Sequence, residues 1–122
     1  MAADHTSFLS GASLEKYVAY GLHTLLMIEV RQTLEFSAWL RRLNDDNAAT
    51  RIVGRIRRME QGNPGDVRSV GAGIMEMRIS YGPGYRIYYV HRGARIVVLL
   101  CSGDKRTQRQ DIKRAQLLAE KV

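Results

Sequence analysis

The stretch that decides the fold is residues 74–101, IMEMRISYGPGYRIYYVHRGARIVVLLC. Apolar and polar side chains alternate over residues 74–81, which predicts a half-buried β-strand. Gly82-Pro83-Gly84 is a turn, after which residues 85–91 return as a second strand. A second glycine-containing turn leads into residues 95–101, which are apolar on both faces. We therefore predict an antiparallel meander of three strands, whose third strand lies inside the sheet with both faces covered.

The segments on either side of the meander predict helices. Residues 28–33 have a short strand pattern, and Thr33 can cap a helix that runs to about residue 43. A second helix over about residues 48–61 ends at a glycine. Thr107 opens a Thr-x-x-Gln capping box and an amphipathic last helix. The predicted class is α+β: an N-terminal strand and two helices, then the three-stranded antiparallel meander and a C-terminal helix.

Length and charge predict one basic domain. The chain has 122 residues, a net charge of +7 and a sequence pI of about 10.0. A fold does not need such a positive excess, so we expect a polyanionic partner, either nucleic acid or an acidic protein segment, with a merely soluble basic surface as the alternative. Residues 1–26 carry a net charge of −1, so residues 27–122 hold +8. We interpret residues 1–26 as an N-terminal extension that is disordered or non-native, with an ordered accessory helix as the alternative.

Cysteine content and hydropathy predict a cytoplasmic location. The single cysteine, Cys101, lies in the apolar third strand, and we interpret it as a buried, inert thiol. The sequence shows no cysteine and histidine cluster of the kind that binds zinc, so neither a metal nor a cofactor is predicted. No stretch approaches the roughly 20 apolar residues that a membrane span requires. The N-terminus also lacks the basic start of a secretion signal.

The main chemical feature of the meander is a pair of arginines. If Tyr81 lies opposite Tyr85 across the turn, Arg78 and Arg86 become diagonal neighbours on one face of the sheet. Two crowded guanidinium groups repel each other unless an anion bridges them, so they predict a phosphate-sized site. The alternative is that Glu76, on the same face, simply pairs with Arg78.

Further basic residues surround this region. Lys105 and Arg106 follow the third strand beside the N-terminus of the last helix, whose dipole favours an anion. Arg68, in the loop that leads to the sheet, could reach the same place. A basic stripe also follows the second helix, where it contacts either a partner or solvent. The members of this stripe are Arg51, Arg55 and Arg58.

Three parts of the chain resemble a known family. In order and spacing they are similar to the HigB-like addiction-module killer proteins of the RelE/ParE superfamily, over about residues 28–122. The resemblance implies a RelE-like fold and the toxin of a type II toxin–antitoxin module. The matching segments are GNPGDVR (62–68) with VGAGIMEMR (70–78), YGPGYRIYY (81–89), and LLCSGDK (99–105) with Gln108 and Asp111-Ile112.

The resemblance also implies a ribosome-dependent mRNA endonuclease that inhibits translation. Its chemistry is attack of a ribose 2′-hydroxyl on the adjacent phosphate of mRNA in the ribosomal A site. Arg78 would stabilise that phosphate with help from Arg86, and Lys105 or Arg106 matches the basic position after the last strand. Arg68 stands where the family commonly has lysine. The implied partners are mRNA, the ribosome and a cognate antitoxin of the helix-turn-helix kind.

Two questions stay open from the sequence. Ile112 stands near the place where some RelE proteins have a catalytic tyrosine, so the general acid and base are unassigned. Lys105 and Tyr88 are the candidates. Contacts to RNA outside the reaction centre are assigned to the second-helix stripe and to Arg106. The superfamily uses one fold for several activities, so the alternatives are a ParE-like inhibitor of DNA gyrase and a catalytically inactive antitoxin-binding module.

Overall fold

A computed structural model describes residues 27–122; residues 1–26, predicted as an extension, lie outside the described residues. Helices cover both faces of a five-stranded sheet, and the predicted α+β class is confirmed. The elements in chain order are β1 (Glu29–Gln32), α1 (Leu34–Arg42), α2 (Asp46–Glu60), β2 (Val67–Ser69), β3 (Ile74–Ile79), β4 (Tyr85–Arg92), β5 (Ile96–Asp104), a 3-10 turn (Lys105–Thr107) and α3 (Gln108–Ala119).

The sheet has the strand order β1-β5-β4-β3-β2, in which β1 is parallel to β5 and the other pairs are antiparallel. Residues 97–101 of β5 are buried between two neighbouring strands, which confirms the prediction of a strand covered on both faces. The sequence did not predict β2, which pairs Arg68 with Glu76 and adds a fourth strand to the meander. Its three residues are too few to show an alternating pattern.

The register between β3 and β4 differs from the predicted one by two residues. Tyr85 pairs with Ile79 rather than with Tyr81, so Arg78 lies directly opposite Arg86. The cause is the turn, which takes five residues rather than the three of its Gly-Pro-Gly centre. Because the shift is even, every side chain stays on its predicted face. The two arginines, however, become a direct cross-strand pair.

Each face of the sheet carries an apolar core. The core under α1 and α2 consists of Phe36, Ile52, Ile56, Met59, Met77, Ile79, Ile87, Tyr89, Val97 and Leu99. The core under α3 consists of Ile74, Tyr88, Val90, Val98, Leu100, Cys101 and Ala115. Cys101 is buried as predicted, and burial raises the pKa of its thiol to about 12, so the thiol stays protonated at neutral pH.

Two threonines predicted as helix caps behave differently. Thr33 begins α1 as predicted, because its Oγ1 accepts a hydrogen bond from the Phe36 backbone N–H at 3.0 Å. The capping box predicted at Thr107 is wrong. The Thr107 hydroxyl instead donates to the Asp111 carboxylate at 2.6 Å, which fixes the first turn of α3 beside the end of β5.

At Gly103 in β5, side chains from the start of α3 lie directly over the strand. A Cβ there would overlap the Asp111 carboxylate and lie 2.8 Å from Thr107 Oγ1. We expect Gly103→Ala to lower the free energy of unfolding by about 1–3 kcal/mol, since this packed pair must move. The matched control is Gly54→Ala in α2, where an added Cβ meets no atom within 4 Å apart from the adjoining backbone of its own helix and its chain neighbours.

Replacing a helical glycine by alanine should raise stability by about 0.5–1 kcal/mol, so the two substitutions should have opposite signs. Denaturant unfolding of both variants measures the difference. Equal effects at Gly103 and Gly54 would contradict the described packing of α3.

Candidate anion-binding site

An open pocket of about 560 Å³ lies where the β3–β4 turn meets the end of β5, and we call it the basic pocket. It brings together three of the residues that the sequence predicted to act on a phosphate, namely Arg78, Arg86 and Lys105. The residues that line it are Asp66, Arg78, Ile79, Ser80, Tyr81, Gly82, Pro83, Gly84, Arg86 and Lys105.

The arginine pair forms the cationic side of the basic pocket. Arg78 and Arg86 are cross-strand partners, with 37% and 13% of their side chains exposed. The Nε atoms of both are buried and have no hydrogen-bond partner among the described residues. Arg78 Nη2 donates to Asp66 Oδ1 at 2.9 Å, which holds the pKa of Asp66 below its ordinary value. Because like charges opposite each other destabilise a sheet, the pair favours an anion between them.

Glu76 is a fully buried carboxylate behind this pair. It accepts hydrogen bonds from Gln108 Nε2 at 2.7 Å, Arg68 Nε at 2.9 Å and Tyr88 Oη at 3.0 Å. Arg86 Nε lies 3.8 Å from its Oε2. Burial by itself raises the pKa of Glu76, but the hydrogen bonds outweigh it and hold the pKa below the ordinary value. Glu76 is therefore a buried anion that holds α3, β2 and β4 together.

The predicted alternative, in which Glu76 pairs with Arg78, is wrong. Arg78 pairs with Asp66, whereas Glu76 pairs with Arg68 and, at longer range, with Arg86. The unpredicted strand β2 causes this difference, because it places Arg68 directly opposite Glu76. Two carboxylates, rather than one, thus orient the arginines around the pocket.

Two predicted catalytic residues, Tyr88 and Arg68, do not line the basic pocket. Tyr88 is completely buried, and its hydroxyl donates to Glu76. Burial first, and then the nearby Glu76 charge, raises the pKa of Tyr88 above its ordinary value. The interpretation of Tyr88 as an acid or base is therefore corrected, since it supports Glu76 instead. Arg68 Nε donates a hydrogen bond to the same Glu76 carboxylate. About half of the Arg68 side chain is exposed, but it does not line the pocket.

Lys105 reaches the basic pocket across the β3–β4 turn. A Cβ on Gly84 would lie 2.8 Å from Lys105 Cδ and 3.9 Å from Arg86 Nη1, so the lysine stem passes over this glycine. Gly84 also has a φ of +82°, a conformation that glycine adopts without strain. Arg106 is not part of the lining: its Nη2 donates to Asp104 Oδ2 at 2.9 Å, and 82% of its side chain is exposed.

The three arginines of the basic stripe on α2 have different surroundings. Arg55 donates from Nη1 to a backbone carbonyl of β3 at 2.7 Å and from Nη2 to Pro64 O at 2.9 Å. It therefore ties α2 to the strand that carries the site and to the loop before β2. Arg51 lies over the ring of Tyr81, 4.6 Å from the ring centroid. Arg58 is exposed to solvent.

Tyr81, like Asp66, is a lining residue that the sequence interpretation missed. It was predicted to end the strand, but it lies in the five-residue turn, half-buried, with its hydroxyl 3.3 Å from Asp45 Oδ2. The available signal was an aromatic residue next to a Gly-Pro-Gly turn. Such a tyrosine more often packs in the core of a hairpin, so the signal was weak.

The lining of the basic pocket has a positive balance, because Arg78, Arg86 and Lys105 face a single carboxylate, that of Asp66. Guanidinium and ammonium donors grouped in this way bind phosphate groups. Within residues 27–122, no three His, Cys, Asp or Glu side chains are placed to hold a metal ion. No helix of that part of the chain is long and apolar enough to cross a membrane.

The chain is similar to proteins already known. A model of the family described as "Phage derived protein Gp49-like (DUF891)" matches residues 38–121. An uncharacterized protein of Haemophilus influenzae (strain ATCC 51907 / DSM 11121 / KW20 / Rd) is 45% identical over 97 residues, which covers 80% of this chain and 98% of that protein. Every residue that lines the basic pocket falls inside the range matched by the family.

Proposed function

The chain belongs to the Gp49-like family of phage-derived proteins, and from this premise we propose that it is the toxin of a type II toxin–antitoxin module. The family is related to RelE/HigB-like toxins, in agreement with the resemblance of the three sequence segments. The activity in this proposal is ribosome-dependent cleavage of mRNA, which inhibits translation.

The observation that carries this proposal is the cross-strand pair of Arg78 and Arg86 with Lys105 beside it. In the proposed reaction a ribose 2′-hydroxyl attacks the adjacent phosphate, and the bond from phosphorus to the 5′-oxygen breaks. Negative charge then accumulates on the non-bridging oxygens, where fixed cations stabilise it. The guanidinium groups of both arginines belong to the lining of the pocket, where they can donate hydrogen bonds to such a phosphate.

Two proton transfers accompany this reaction, because the 2′-hydroxyl loses a proton and the 5′-oxygen gains one. Of the two residues predicted for proton transfer, Lys105 lines the basic pocket and Tyr88 does not. The proposal therefore assigns to Lys105 the donation of a proton to the departing 5′-oxygen, while the proton of the 2′-hydroxyl passes to solvent. Asp66 and Glu76 have a positioning role, since each carboxylate holds an arginine beside the pocket.

The proposal includes an acidic partner, a cognate antitoxin of the helix-turn-helix kind. Residues 27–122 carry a net charge of +8, and such a surface binds RNA without selectivity in a cell unless it is covered. We expect the product of a neighbouring gene to form a stable complex when both proteins are co-expressed. Failure of every neighbouring product to co-purify would count heavily against the toxin assignment.

Pulse labelling after induction tests the proposed target in cells. We expect incorporation of labelled amino acids to stop before DNA synthesis slows, because mRNA cleavage acts on translation directly. The Arg78→Ala variant, produced at the same level, should leave both unaffected. If DNA synthesis stops first and supercoiling of plasmid DNA is lost, a gyrase inhibitor replaces the RNA-cleaving toxin.

A further inference from the structure

One wall of the basic pocket is aromatic and uncharged. Tyr81, Gly82 and Pro83 belong to the same lining as Arg78 and Arg86. A single pocket therefore offers cations for a phosphate and, next to them, an aromatic ring. A nucleotide has this combination of groups, with an anionic phosphate and a flat base joined by a sugar.

The surroundings of Tyr81 fix its ring and engage its hydroxyl. Arg51 covers one ring face at 4.6 Å from the centroid. The hydroxyl lies 3.3 and 3.5 Å from the carboxylate oxygens of Asp45, which also caps α2 by accepting from the Ala48 backbone N–H. Neither Arg51 nor Asp45 lines the pocket. The hydroxyl is thus held on the α2 side and the half-buried ring packs against the core under α1 and α2, so the part of Tyr81 that lines the pocket is what a ligand can contact.

We propose that Tyr81 is a base-stacking residue that binds the nucleobase next to the phosphate held by Arg78 and Arg86. This inference rests on the proposed function and specifies its substrate as RNA with an unpaired, unstacked base. Every base has a π-face, so stacking tolerates many sequences and gives affinity without reading the base edge. A paired base inside a duplex cannot lie on the ring, so double-stranded RNA is excluded from the pocket.

Two uncleavable probes distinguish the contribution of the Tyr81 ring to binding from that of the cations. The first is a fluorescein-labelled, single-stranded 2′-O-methyl RNA hexamer, which lacks the nucleophilic hydroxyl, and the second is an abasic phosphodiester of equal length. We expect Tyr81→Phe to bind both probes like the parent protein. Tyr81→Leu should bind the hexamer about 5- to 100-fold more weakly, the range known for a lost base–aromatic stack, and the abasic probe unchanged.

A second variant provides an independent readout if Tyr81→Leu does not fold in thermal melts. Base stacking quenches indole fluorescence, so the hexamer should quench the Tyr81→Trp variant more than the parent, whose one tryptophan is Trp39. The abasic probe should cause no such extra quenching.

Three results would overturn the inference in distinguishable ways. The stacking role is excluded if Tyr81→Leu binds the hexamer as tightly as the parent does, or if it loses equal affinity for both probes. Neither result contradicts the proposed function. Loss of mRNA cleavage in Tyr81→Phe would show that the hydroxyl, and not the ring, acts in the pocket. If the parent binds neither probe at low salt, the pocket does not hold a nucleotide on its own and the stacking inference falls, whereas ribosome-dependent cleavage is decided separately by cleavage of ribosome-bound mRNA.

Discussion

Replacing Arg78 by alanine should lower the rate of mRNA cleavage by about a hundredfold or more, the usual effect of losing one fixed donor at a developing anion. The fold should be almost unaffected, because the Arg78 side chain is partly exposed and its carboxylate partner, Asp66, is exposed as well. Arg86→Ala should act in the same direction, with Arg78 the more damaging of the two. The double variant should lose less than the product of the single losses, since both arginines hold one phosphate.

Arg95→Ala is the matched control for this experiment, because it removes one positive charge from an exposed position outside the basic pocket. Cleavage rates on ribosome-bound mRNA and thermal melts should be measured for the parent and all four variants. Cleavage by Arg78→Ala at the parental rate would show that the site lies elsewhere. An equal loss in Arg95→Ala would show that only the total charge matters.

Removing the Glu76 carboxylate should have the largest effect on stability. Glu76→Ala leaves the largely buried Arg86 guanidinium without its carboxylate and removes the acceptor for Tyr88 and Gln108. Breaking a buried ion pair on one side typically costs about 3–5 kcal/mol. We expect a loss of that size in denaturant unfolding, with a smaller loss in Glu76→Gln, which keeps an acceptor oxygen. If either variant lowered the free energy of unfolding by no more than an ordinary surface substitution does, about 0.5 kcal/mol, the described role of Glu76 would be contradicted.

The stability should also depend on pH through Glu76. Its folded pKa lies below the ordinary value of 4.5, so the deprotonated carboxylate stabilises the fold above that pH. This contribution should be lost as the pH falls below about 4.5 towards the folded pKa. The Glu76→Gln variant lacks it, so the gap between parent and variant should narrow on acidification. A gap that stays constant from neutral pH to strongly acidic pH would contradict the assignment.

The sequence predicted those features of the fold that depend on local pattern. The alternation of apolar and polar side chains predicted β3 and β4. The apolar residues on both faces of β5 predicted that this strand lies inside the sheet. The register could not be predicted, because it depends on how many residues the turn absorbs, and the Gly-Pro-Gly segment shows only its centre. That number decides whether Arg78 and Arg86 are diagonal or directly opposite.

The candidate site was only partly predicted, because it too depends on contacts that a local sequence pattern does not show. Strand pairing singled out Arg78 and Arg86, and the position after the last strand together with the family resemblance singled out Lys105; all three line one pocket. The partner of Glu76 depended on β2, a strand too short to be seen in the sequence, and the place of Tyr81 depended on the turn. Side chains whose neighbours come from distant or irregular segments are therefore the ones that sequence patterns miss.

Primer extension on mRNA from purified ribosomes tests the central claim most directly. The parent protein, incubated with a programmed ribosome whose A site is open, should produce new cDNA ends within the A-site codon. The same mRNA without ribosomes, and the Arg78→Ala variant with ribosomes, should give none or far fewer. Intact mRNA in the presence of parent protein and ribosomes, together with inhibition of gyrase supercoiling by the same preparation, would contradict the account.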